Sequence, residues 1–124
     1  MKKEAFIVKN APAAIGPYSH AVKAGNLLFV SGQLPLKDGA LLTDIPEATR
    51  ACLTNLKNML EEIGTSMDNV VKTVVFLTDM ADFAAMNEVY AEFFKENCPA
   101  RSAVAVAALP KGAKLEIEAI VMVD

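Results

Sequence analysis

Tryptophan is absent from the 124 residues, histidine occurs once and cysteine twice. A lone His20 has no second imidazole for a metal pair and no Ser/Asp order around it for a hydrolase triad, so it reads as structural. Cys52 and Cys98 fit neither a Cys-x-x-Cys nor a Cys/His zinc spacing, and two thiols make no disulfide framework. They read as unpaired thiols in a reducing cytoplasm. Long apolar runs are missing too. The longest unbroken one, Ala103 to Leu109, is seven residues, against the ~20 a membrane-spanning helix needs. The N-terminal stretch is interrupted by Lys9 and does not read as a secretory leader. Positive charge is also scarce: Lys plus Arg number 12 against 15 Asp plus Glu, for a net charge of -3. The only adjacent basic pair is Lys2-Lys3, which argues against nucleic acid as a partner. No Gly-rich phosphate loop and no other cofactor motif is present, so no cofactor is expected.

Apolar residues, by contrast, make up 53% of the chain and charged residues only 22%, a balance that excludes disorder. A chain of this length buries roughly two thirds of its unfolded surface as one domain, here residues 1–124. Two segments, Val70 to Leu77 and Ala103 to Leu109, are apolar on both alternating faces and so require cover on both sides. Two amphipathic helices can cover only one face of one sheet. A second copy of the chain is the available cover for the other, and a homo-oligomer is expected.

Short strands are expected at Ala5 to Val8, His20 to Lys23 and Leu27 to Ser31, the last two joined through Gly25-Asn26. Gln33 to Leu36 could continue the third strand, and Lys37-Asp38-Gly39 reads as a turn. The first helix is bounded by a capping Asp44, by Pro46 in its first turn and by Gly64 as its stop. Its apolar stripe runs through Ala48, Cys52, Leu56, Met59, Leu60 and Ile63. A strand over Val70 to Leu77 follows, then a helix from near Asp79 to about Glu96. Strands over Arg101 to Ala107 and Leu115 to Val123 complete the order β-β-β-α-β-α-β-β. This is an α+β two-layer domain, a mixed six-stranded sheet with two helices on one face.

Four places break the local pattern, which is where chemistry tends to show. Asn87 interrupts the stripe of Phe83, Tyr90 and Phe94 on the second helix; it either bonds a buried loop carbonyl or belongs to a site. Glu116 and Glu118 point to one sheet face about 7 Å apart, among Ile120 and Met122. They are ordinary edge charges or a carboxylate pair for acid/base work. Arg101 heads an otherwise uncharged strand; it either snorkels to solvent or grips an anion bidentately. Tyr18 and Ser31 lie beside Gly16 and Gly32, where backbone can approach a ligand.

Three stretches join these residues: Asn10-Ala11-Pro12-Ala13-Ala14-Ile15-Gly16-Pro17-Tyr18-Ser19, Phe29-Val30-Ser31-Gly32-Gln33 and Pro99-Ala100-Arg101-Ser102. With Leu109-Pro110-Lys111 and Leu115-Glu116-Ile117-Glu118-Ala119, they resemble the reactive intermediate deaminase (Rid) family, also labelled endoribonuclease L-PSP or translation inhibitor. The resemblance covers essentially the whole chain. It implies a chorismate-mutase-like fold in a homotrimer, with the sheets forming a central barrel and ligand clefts at the subunit interfaces. It also implies hydrolysis of 2-aminoacrylate, 2-aminocrotonate and their imines to 2-keto acids and ammonia, downstream of pyridoxal-phosphate-dependent dehydratases.

By the same resemblance Arg101 anchors the substrate carboxylate and Glu116 is the acid/base. Tyr18, Ser31 and Asn87 line the cleft, and backbone N–H groups at Gly32 and Ala103 complete the anion site. Many members carry cysteine where this chain has Ala103, which removes any thiol regulation at that position. Two other functions are compatible with parts of the sequence. A non-catalytic trimer binding a small carboxylate would use the same Arg101, although it would have no need of Glu116. A ribonuclease is opposed by the acidic balance, the single histidine and the absence of a metal-binding carboxylate cluster.

Overall fold

The computed structural model describes residues 2–124. Strands β1 (Lys3–Phe6), β2 (Ala21–Ala24) and β3 (Leu27–Gln33) form an antiparallel meander, with Gly25 at φ 63° in the β2–β3 turn. A separate small hairpin pairs β4 (Leu36–Lys37) with β5 (Ala40–Leu41). Asp38 and Gly39 both take positive φ between them, as a two-residue turn of primed type requires. Helix α1 (Ile45–Ile63) leads through a 3₁₀ turn at Met67–Asn69 into β6 (Val70–Leu77). Helix α2 (Phe83–Phe93) then crosses to β7 (Ala100–Ala105), and β8 (Leu115–Met122) ends the fold. The large sheet has the order β1-β2-β3-β8-β6-β7 and is mixed, with β6 and β7 parallel and the other neighbours antiparallel. The architecture is thus the expected α+β sheet of six strands with two helices.

Alternation along β8 separates the faces. Leu115, Ile117, Ala119 and Val121 are buried beneath the helices, whereas Glu116, Glu118, Ile120 and Met122 point the other way. The core under the helices includes Leu28, Val30, Val75 and Leu77 from the sheet, met by Cys52, Leu56, Met59 and Leu60 of α1 and by Met86 and Tyr90 of α2. Among the described residues no helix lies on the opposite face. There Phe29, Val104 and Met122 remain 44%, 44% and 48% exposed, an apolar surface of the kind that marks an interface.

Helix α1 ends where its sequence signals place it. The Asp44 carboxylate accepts from the Glu47 N–H at 3.3 Å, and Gly64 takes φ 108° while its N–H donates to the Leu60 carbonyl. Four other elements have boundaries that differ from expectation. β1 pairs over Lys3–Phe6 rather than Ala5–Val8, because the Val8 N–H donates to His20 Nδ1 instead of to a strand. β3 stops at Gln33, and the next residues turn into the small hairpin rather than extending it. α2 is preceded by a 3₁₀ turn at Met80–Asp82, where Asp79 accepts from the Ala81 N–H. It stops at Phe93, not near Glu96, because Phe94 leaves helical geometry to bury its ring 4.8 Å from that of Tyr90. β7 ends at Ala105, two residues early, as its partner β6 runs out at Leu77. Among the described residues no helix is long and apolar enough to cross a membrane.

Candidate functional site

A cavity of about 400 Å³ opens beside the end of β3, and Tyr18, Ser31, Gly32 and Glu116 all contribute to its wall. Its position follows from a break in the sheet. Val30 pairs with Ala119 and Gln33 with Ile117, so Ser31 and Gly32 together stand opposite the single residue Glu118. Such a bulge re-aims side chains and takes backbone out of the ladder. Gly32 makes room there: a Cβ built on it would fall 2.5 Å from the Glu116 carboxyl carbon and 2.8 Å from its Cγ, so a side chain at this position would push the glutamate aside. Without a Cβ at this position the glutamate lies directly against the β3 backbone.

The Tyr18 loop is fastened by buried polar contacts. His20 Nδ1 accepts from the Val8 N–H at 2.7 Å, which places the ring proton on Nε2, 2.9 Å from the Pro12 carbonyl. Both ring nitrogens are therefore committed to backbone, the structural role expected of this histidine. The Ser31 hydroxyl donates to the Ser19 carbonyl at 2.7 Å, so it presents only lone pairs to the cavity. The Tyr18 ring is half exposed at the rim.

Burial raises the Glu116 pKa above the ordinary carboxylate value, and the like charge of Glu118 two residues away raises it further. Glu118 itself does not line the cavity. A carboxyl so placed gives up and takes a proton closer to neutrality than an exposed one does.

Arg101 lies elsewhere. Its register partner on β6 is Thr73, fully buried under α2, so the arginine side chain leaves β7 on the helix side. The guanidinium carbon sits 4.8 Å from the Tyr90 ring centre and 5.3 Å from that of Phe83, and Nη1 donates to Asn87 Oδ1 at 2.7 Å. Asn87 thus serves Arg101 rather than a buried loop carbonyl. No carboxylate pairs with this arginine among the described residues, in contrast to Arg50, which Glu92 binds through both oxygens. Ala103 is two residues further along the same strand, which is the edge of the sheet.

The expected site residues therefore form two groups within one chain. Tyr18, Ser31, Gly32 and Glu116 meet at the cavity; Arg101, Asn87 and Ala103 share the β7 edge. Arg101 is opposite Thr73 and Glu116 opposite Phe76, three residues along and two strands across. At ordinary strand dimensions the two Cα atoms are about 14 Å apart, with side chains on opposite faces. The sequence reading also passed over the apolar part of the cavity wall, Ile15, Leu34, Leu36 and Met59, and the rings that hold Arg101. For the rings a signal was present, since Phe83, Asn87 and Tyr90 recur at i, i+4 and i+7. For the cavity wall there was none, because its members lie far apart in sequence.

Comparison with known proteins adds an independent line. Residues 8–123 match the family model described as endoribonuclease L-PSP. A RutC family protein of Pyrococcus horikoshii is 54% identical over 121 residues, 95% of this chain and 96% of that one. The 2-iminobutanoate/2-iminopropanoate deaminase of Escherichia coli is 47% identical over 117 residues, 90% of this chain and 91% of its own length. The crystal structure of the yeast protein YEO7 superposes with a TM-score of 0.95 at 45% identity, covering 99% of this chain and all of the other.

Proposed function

From a chain that belongs to the endoribonuclease L-PSP family, the family of the reactive intermediate deaminases, we propose an enamine/imine deaminase working between copies of itself. Its substrates are 2-iminopropanoate and 2-iminobutanoate, the imine forms of 2-aminoacrylate and 2-aminocrotonate. Its products are 2-keto acids and ammonia. The observation that carries this reading is a guanidinium with no counter-charge among the described residues on one edge of the chain and a carboxyl of raised pKa in a cavity on another. The exposed apolar sheet face supplies the surface on which copies pack, as a homotrimer, so that one copy's Arg101 reaches the next copy's Glu116.

In this site Arg101 grips the substrate carboxylate through its free N–H fork. Backbone N–H groups at Gly32 and Ala103 add to that grip, Asn87 steadies the arginine, and Tyr18 and Ser31 bound the cleft. Glu116 takes a proton from a water molecule as the water oxygen bonds to the imine carbon, and the C=N electron pair goes to nitrogen. The same carboxyl returns the proton to that nitrogen, giving a carbinolamine. It then takes the hydroxyl proton and passes it to the amino group as the C–N bond breaks, so that ammonia leaves and the oxygen stays behind as a carbonyl. Such acid/base work contributes typically 10²–10⁴ in rate. The supplying reaction is β-elimination from serine or threonine by a pyridoxal-phosphate-dependent dehydratase. The committed ring nitrogens of His20 leave no histidine base for cleaving RNA, so the deaminase reading is preferred to the ribonuclease one.

The test couples the protein to a serine/threonine dehydratase and follows 2-keto acid release by absorbance. Faster release with wild type is the expected result, and Arg101→Ala at matched concentration is expected to give none. Release unchanged by wild type, across both serine and threonine, would overturn the reading. Gly32→Ala probes the cavity side in the same assay. The added methyl displaces the Glu116 carboxyl, and a misplacement of about 1 Å costs on the order of 100-fold. Activity near wild type in a variant with unchanged circular dichroism would show that the position of this carboxyl is immaterial.

A further inference from the structure

We propose that Tyr90 and Thr73 are positioning residues for Arg101, holding its guanidinium in a binding pose without neutralising its charge. The inference rests on the reading of Arg101 as the carboxylate anchor. A long arginine side chain at a sheet edge has much rotamer entropy to lose on being fixed, and the usual way to fix it is an acidic partner. Arg50 in this chain is held that way by Glu92. An acidic partner on Arg101 would compete with the substrate for the same N–H fork. Among the described residues it is met instead by neutral groups.

Tyr90 stacks on the guanidinium at 4.8 Å, Phe83 faces it at 5.3 Å, and the Asn87 amide oxygen accepts a single hydrogen bond. Of the five N–H donors, this is the only one the described residues engage. Tyr90 is itself pinned: its hydroxyl lies 2.7 Å from the Thr73 hydroxyl, both groups being buried. Thr73 is the register partner of Arg101 across the β6–β7 ladder. The ring that orients the arginine is thus bolted to the strand position directly beside the arginine's own. Burial, the larger effect, keeps the Tyr90 phenol protonated well past neutrality, so it never supplies the counter-charge that the arrangement avoids.

The test measures binding of 2-oxobutanoate by titration calorimetry and the ¹⁵N-edited NMR signal of the Arg101 Nε–H. Wild type is compared with Tyr90→Phe, Tyr90→Leu and Thr73→Val. Tyr90→Leu removes the stacking ring and is expected to weaken binding about 3- to 30-fold. It should raise KM by a similar factor while kcat at saturation changes little, and the ring-current shift of the Nε–H signal should diminish. Tyr90→Phe keeps the ring but loses the Thr73 anchor, and should fall between wild type and Tyr90→Leu in both affinity and shift. If Tyr90→Leu does not fold, Thr73→Val provides the second reading. It orphans the buried Tyr90 hydroxyl and weakens binding, and adding Tyr90→Phe restores part of the loss by removing the orphan. Wild-type affinity and an unmoved Nε–H signal in folded Tyr90→Leu, or in Thr73→Val, would overturn the proposal. Equal binding by wild type and Arg101→Ala would remove its premise, an outcome that the Tyr90 variants cannot mimic.

Discussion

Arg101→Ala and Glu116→Ala proteins, each inactive alone, are expected to recover about one quarter of wild-type activity when refolded together in equal amounts. The fraction follows from closed cyclic assembly. On the proposed reading each cleft takes its guanidinium from one copy and its carboxyl from the next, and each of the two positions holds an intact residue with even odds. The figure does not depend on the number of copies in the ring. The physical ground is the geometry within a single chain: Arg101 faces the helix layer beside Thr73, and Glu116 faces the opposite side beside Phe76. Losing either group alone should cost 10²–10⁴-fold or more, since an unpaired carboxylate in a cleft forfeits roughly 2–5 kcal/mol of binding and an absent acid/base forfeits a comparable amount. Sedimentation of the mixture and of each parent should show the same oligomer. Mixed oligomers with no recovered activity would mean that both groups serve one cleft from one copy, or that only one of them serves it at all.

Glu116→Gln should separate catalysis from stability in opposite directions. Rate should fall 10²–10⁴-fold, because an amide neither takes nor returns the proton. Stability should rise at neutral pH. The folded pKa of Glu116 lies above its unfolded value, with burial the main cause and Glu118 the second. Its contribution is therefore fully favourable below the unfolded carboxylate pKa and is lost as pH rises through the folded one. Above that window the ionised carboxylate strains the fold and glutamine does not. For a half-exposed group the gain is less than about 1 kcal/mol after solvent screening, measurable as a higher melting temperature at neutral pH and none at pH 4. The rising acid limb of kcat/KM should be displaced above that of an ordinary carboxylate, and Glu118→Gln should move it back down. A limb that Glu118→Gln leaves in place would show that the neighbouring charge does not reach the reacting carboxyl.

Local signals were sufficient for much of the fold. Asp44, Pro46 and Gly64 bound α1 through groups within a turn of one another, and alternation in β8 fixes which face carries Glu116. What was not legible depends on distant partners. The end of β1 is decided by an imidazole twelve residues away taking the Val8 N–H. The two-residue strands β4 and β5 are too short to show any period. The site shows the same division. The residue types that suit an imino acid are readable one by one, but their separation into two groups is a matter of register among β7, β6 and β8. No spacing along the sequence reports that register.

The position of β8 in the sheet also governs how this chain can reach its native state. β1, β2 and β3 form a meander on one side, and β6, α2 and β7 form a crossover unit on the other; each is assembled from neighbours in sequence. β8 follows both in the chain yet lies between them, with Leu27 opposite Met122. The two local units join only when this segment zips in, a step dominated by closure of long loops and hence slow. That same step delivers the glutamate to its cavity. Kinetic refolding followed by a probe of local helix and by regained turnover should therefore show activity arriving with the slow phase, and no compact intermediate should turn over substrate.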